Sequence, residues 1–411
     1  MNVDIADNLI HFVGSKHYLF FAPVCMSWRT AWGLRRTQTD YVTSPLTRSQ
    51  FLECIEGGLP RTEKLCSAMA RLGDTELLQQ ALERGYPWGF GASRVAARAG
   101  HLRLLHWARR KRLVWDKHVC EGAARGGHLE ILQWAQENGC TMGSSTSYMA
   151  ARGGHLQVLN WARENGFSWN PAVCESAALG GHLDALKWAR QKGCPWNSST
   201  CSGAALGGHL HVLRWARANG CPWSVATSGA AAIGGHLNVL RWLRARGCPW
   251  DERTAAKVAG GGYLDVLRWV RENDCPWDVS TCAKDAFGGH LDVLRWARAN
   301  GCPWDETTCS EAASGGHLEV LRWAREHGCP WGRETCSNAA LGGHLQVLRW
   351  ARGEDRCPWD EKTCENAASG GHLDVLQWAR ANSCPWEEEL VRMRAAAGGH
   401  MHVSRWVRDG G

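Results

Sequence analysis

Histidine and cysteine are the residues whose number and spacing invite chemistry in this chain. It has 411 residues, 18 of them His and 19 Cys. Eleven histidines keep a register: His101, His128, His155, His182, His209, His236, His290, His317 and His344 follow a 27-residue step, and His372 and His400 follow at 28. Many cysteines occupy two recurring places, one after Thr (Cys201, Cys309, Cys336) and one before Pro (Cys194, Cys221, Cys302). Imidazole and thiolate together suggest structural zinc, which draws on Cys-x2–4-Cys pairs. No such pair occurs, and even Cys302 and Cys309 stand seven apart. There is also no nucleophile elbow, phosphate loop or paired-carboxylate constellation. A residue type that recurs in every repeat argues for packing, because a catalytic group is needed only once. We therefore expect no enzyme activity, no metal and no cofactor, with cysteine acting as a small apolar residue.

The elements behind this register form a block close to W-D-x-x-T-C-x-x-A-A-x-G-G-H-L-x-V-L-R-W-A-R-x-x-G-C-P-W. Tyr263 fills one histidine place and Asp74 stands at the place upstream, which gives thirteen units. Self-similarity at this period predicts a stacked array. In the unit from Trp304 to Trp331, Asp305 is a good N-cap for a helix over about Glu306–Ser314. Gly315 and Gly316 end that helix, since glycine tolerates left-handed angles. A second helix is predicted from near His317 to about His327, stopped by Gly328 and Pro330. On a helical wheel Leu318, Val320, Leu321 and Ala324 share one arc, with Trp323 beside it. Helices of about ten residues are unstable alone, so stacking must stabilise them.

Tryptophan fills two slots. One lies in the second helix (Trp107, Trp134, Trp161 through Trp406) and one in the loop (Trp88, Trp115, Trp169 through Trp386). If both are buried core, each contributes up to about 4–6 kcal/mol. Arginine forms two series, five and eight residues after the histidine. The first runs Arg214, Arg241, Arg268, Arg295, Arg322, Arg349, and the second Arg163, Arg190, Arg217 through Arg352. The expectation is structural: stems lie along the stack and guanidinium groups rest on indoles. Asp265, Asp292 and Glu319 are placed to pair with the first series. A nucleic-acid track along these arginines is the competing reading.

Net charge is +7, and pI is about 8.6, too dilute to argue for nucleic acid by itself. The first residues, Met1 to Lys16, carry no secretory pattern, and no apolar run is long enough for a bilayer. The cysteines are thus expected to be reduced and the protein to be cytoplasmic or nuclear, not secreted and not at a membrane. We expect a monomer.

The run A-A-x-G-G-H-L-x-V-L followed by G-C-P resembles the ankyrin repeat: Ala312, Ala313, Gly316, His317, Val320, Leu321 and Gly328 fall in that family's pattern. The match recurs over about residues 61–411. Ankyrin units have about 33 residues, and these are shorter where that family's β-hairpin would project. The resemblance implies an all-α fold: an α-solenoid of about 13 stacked ankyrin-like helix-turn-helix units lacking most of the β-hairpin. It looks like the short, Trp-rich type found in protists and their large DNA viruses. In that family the histidines serve local hydrogen bonding. Val24 to Arg29, V-C-M-S-W-R, is similar to the end of an F-box. This implies a helical N-terminal cap over 1–36, a linker and half repeat over 37–60, and Val24, Trp28 and Arg29 as contacts for a cullin-ligase adaptor.

Function is expected where the repeats disagree. The slot three before the histidine reads Arg98, Arg125, Arg152, Leu179, Leu206, Ile233, Gly260, Phe287, Ser314, Leu341. The resemblance implies that this slot faces a partner on the concave side. Arg98, Arg125, Arg152, Leu179, Leu206, Ile233, Phe287 and Leu341 are therefore the expected partner-binding residues, for a protein or peptide with an acidic end and an apolar body. The competing reading is that these leucines only fill gaps between neighbouring first helices.

Overall fold

Each repeat is written by its caps. In a computed structural model, Asp305 holds extended backbone and its carboxylate accepts from the Thr307 amide at 2.9 Å, starting a first helix over Glu306–Gly315. Gly316 turns left-handed at φ 76°, and the second helix runs Leu318–Glu326. Gly328 turns left-handed again at φ 81°, and the Cys329 amide bonds back to the Ala324 carbonyl at 2.9 Å, closing that helix. The structure describes residues 48–49, 51–52 and 63–410, apart from 114, 115, 141, 144, 168, 354 and 355. The F-box-like segment, with Val24, Trp28 and Arg29, lies outside the described residues.

From Glu63 onward this pattern gives 26 α-helices, thirteen pairs, with no strand among the described residues. The protein is all-α and built of stacked helix pairs. It divides into two compact units, Met1–Trp196 and Asn197–Gly411. Within each unit successive first helices pack directly on one another, whereas the second helices, which carry Trp and Arg, make no comparably close contact. Small residues allow the close approach: a side chain on Gly122 would collide with the Arg94 carbonyl of the preceding first helix.

The core of each repeat is small and fully buried. Cys309, Ala312, Ala313, Leu321, Ala324 and Cys329 are all 0% exposed, and Val320 is 2%. The tryptophans depart from expectation. Trp277, Trp296, Trp304, Trp323 and their successors are half-buried and packed against this core rather than inside it. The loop and helix indoles of one repeat meet edge to face, as Trp304 and Trp323 do with centroids 5.9 Å apart. Each therefore contributes less than a fully buried ring would.

Candidate partner-binding surface

The marker histidines do not bond locally. His101, His128, His155, His236, His344 and His372 each reach one repeat back to the backbone. His155 Nε2 donates to the Arg125 carbonyl at 3.0 Å, His236 to Leu206 at 3.0 Å, His344 to Ser314 at 3.0 Å and His372 to Leu341 at 3.0 Å. In these six the acceptor is the carbonyl of the variable slot. The Gly-Gly pair makes this possible. The His155 ring lies against Gly153 of its own repeat and Gly127 of the preceding one, so a side chain at either glycine would strike it. Gly127 also has φ 81°. Burial, and then neighbouring histidines, hold His155 and His317 below the usual imidazole range, although the bond each donates to a backbone carbonyl pulls the other way.

The second arginine series is spent on structure. The Arg217 guanidinium sits 4.0 Å above the Trp223 ring, Arg271 4.0 Å above Trp277, and Arg325 4.3 Å above Trp331. The same groups donate to a loop carbonyl, Arg217 to Cys221 at 2.5 Å and Arg325 to Cys329 at 2.6 Å. Arg214, Arg241, Arg268, Arg295, Arg322 and Arg349 of the first series remain exposed. Of the acidic residues placed to pair with that series, Glu319 reaches Arg322 at 3.9 Å.

The described cysteines are free thiols and buried. Those before Pro donate to the carbonyl that caps the same repeat's first helix, as Cys329 does to Asp305 at 3.3 Å and Cys221 to Asn197 at 3.4 Å. Burial pushes the Cys275 thiol up to about 12. No group of three or more His, Cys, Asp or Glu is assembled for a metal among the described residues. One His-x4-His pair does occur, His101 and His106, but its members part: His101 bonds the Arg71 carbonyl at 2.8 Å, and His106 stacks on Trp134 at 4.4 Å.

The variable slot lies at the C-terminal end of each first helix. In the second unit Leu206 is 37% exposed, Ile233 50%, Phe287 48% and Leu341 44%. In the first unit Arg98 is exposed, and Arg125, Arg152 and Leu179 are half-buried. The first unit holds one more member that the degenerate marker Asp74 hid: Arg71 occupies the same slot, three before Asp74, and is exposed.

No family model matches this chain, and no curated protein matches it. Among solved structures it is similar to the human ASB11 ankyrin repeat domain, at 16% identity and TM-score 0.32, covering 38% of this chain and 84% of that one. It is also similar to the pentatricopeptide repeat protein PPR10 in complex with an 18-nt psaJ RNA element, at 14% identity and TM-score 0.33, covering 98% of this chain and 67% of that one. These likenesses concern the helical-repeat fold alone.

Proposed function

We propose that this chain is a non-catalytic scaffold that binds a protein partner through the variable slot. The observation that carries this reading is the exposure of Leu206, Ile233, Phe287 and Leu341 at one repeated position, since large apolar side chains are left in water at a cost. The slot is also where the repeats differ, while the positions that repeat are accounted for by packing and by the histidine bonds. No helix among the described residues is long and apolar enough to cross a membrane. The double variant Leu206→Asp with Ile233→Asp tests the reading. A partner captured by the full chain and identified by mass spectrometry should be lost by the variant while the circular-dichroism melt stays unchanged. Retained capture overturns the assignment, and unfolding would show that the slot is core.

A second reading rests on V-C-M-S-W-R at Val24 to Arg29: recruitment to a cullin-ligase adaptor. It requires that the full chain bind a purified adaptor and that Trp28→Ala abolish this.

A further inference from the structure

The first unit gathers arginines that have no acidic partner among the described residues. Arg71 follows the first helix Glu63–Ala70, and Arg98, Arg125 and Arg152 lie in the last turns of the next three first helices. Arg94 stands one turn before Arg98. No described carboxylate lies within ion-pair reach of these five side chains. Glu121, one turn before Arg125, is committed elsewhere: His118 Nδ1 donates to it at 2.9 Å. Burial raises Glu121, but bonds from His118 and Ser145 outweigh it and leave the carboxyl below its usual range. Arg125 is half-buried, and burial first, then the charges of Arg98, Arg152 and Arg94, hold it below the usual arginine range. The first helices that carry these arginines pack directly on one another.

Helix dipoles account for one cation at each helix end. They do not account for the row, because the same helix position elsewhere in the chain carries Leu, Ile, Phe, Ser or Gly. A row of like-charged guanidinium groups, with Arg125 and Arg152 half-buried, favours an anion that comes to all of them at once.

From this juxtaposition we infer that Arg71, Arg98, Arg125 and Arg152 form a ladder that binds an acidic segment of a polypeptide, laid across successive first helices. Stacked helices stand about 10 Å apart. A chain in the polyproline II conformation rises about 3.1 Å per residue with three residues per turn, so a carboxylate at every third residue falls on one face and meets one guanidinium per repeat. The planar arginine fork suits carboxylate in bidentate contact. Single-stranded nucleic acid would also want aromatic platforms. Phe90, the large exposed aromatic ring among the described residues of this unit, sits at the start of its helix, the opposite end from Arg98, and packs against His118 with centroids 5.9 Å apart.

The inference rests on reading the variable slot as a partner surface and adds the partner's chemistry in the first unit. Its test is separate. Fluorescence anisotropy of the full chain would use a fluorescein-labelled peptide with Glu at every third position, and a single-stranded oligonucleotide of equal charge. The peptide should bind, with affinity falling as NaCl rises. Arg98→Gln with Arg125→Gln should weaken it about tenfold or more. Arg241→Gln with Arg322→Gln, which removes the same charge from second helices, should leave it unchanged, as should Leu206→Asp with Ile233→Asp. If the last pair abolishes partner capture but not peptide binding, the two readings stand independently. Three results overturn the inference: no peptide binding at low salt, equal loss in both arginine pairs, or tighter binding of the oligonucleotide. The exposed single variant Arg71→Gln, read by the same titration and a melt, guards against a folding defect in the double variant.

Discussion

His155 Nε2 stands 3.0 Å from the carbonyl oxygen of Arg125, thirty residues earlier in the chain. The bond joins one repeat to the next, and the ring that makes it also fills the space left by Gly127 and Gly153.

That double role separates two substitutions. His155→Ala removes both the bond and the ring, and should cost about 2–3 kcal/mol in a urea melt. His155→Tyr keeps a ring over the glycines and should cost only about 1 kcal/mol. The protein already contains this arrangement at Tyr263, whose ring lies against Gly235 and Gly261. Equal losses for the two variants would refute the packing role.

Arg217 lies 4.0 Å from the Trp223 ring and donates to the Cys221 carbonyl at 2.5 Å. Arg217→Lys keeps the charge but loses the planar face, and should destabilise the second unit by about 1 kcal/mol. Arg214→Lys, at an exposed position, should change the melt by less than about 0.5 kcal/mol.

Asp285 stands where other repeats have alanine. It is 0% exposed, and neither carboxylate oxygen has a hydrogen-bond partner. Burial, then the charge of Asp292, pushes its pKa up to about 9 from an ordinary 3.8. Between those values the unfolded chain has released a proton that the folded chain still holds, so stability declines as pH rises across that window. Asp285→Ala should raise the melting temperature, more at pH 8 than at pH 5, and thermal melts at both pH values would show it. A variant with an unchanged or larger pH slope would mean the carboxyl is solvated.

The described cysteines, seventeen of nineteen, are free and buried. Thiol titration with a colorimetric disulfide reagent should therefore leave these seventeen unreacted in the native protein and label them all in denaturant. Rapid native labelling of more than two thiols would contradict this burial.

The helix pairs are legible in the sequence because caps, glycines and period agree; Asp305, Gly316 and Gly328 each do what their type suggests. The placement of Arg217 over tryptophan is legible too, since a cation at that spacing has few other faces to meet. The histidine contact is not. Its acceptor is a carbonyl, which every residue carries, so no side-chain pattern marks it. Tryptophan exposure is hidden for a related reason: the motif shows that an indole recurs, not how much of it water still reaches. Arg71 escapes notice because its marker is Asp74 rather than histidine. In the variable slot the identities are plain, but exposure is a matter of how closely neighbouring first helices approach.

Because the histidine grips a backbone oxygen, the joint between repeats is indifferent to which amino acid occupies the gripped position. Arg125, Leu206, Ser314 and Leu341 are all held by the same bond. The side chain in the slot can then change one repeat at a time, with the assembly rule left untouched. In such an array what must stay constant is written on the backbone oxygen, and what is free to vary is written on the side chain of the same residue.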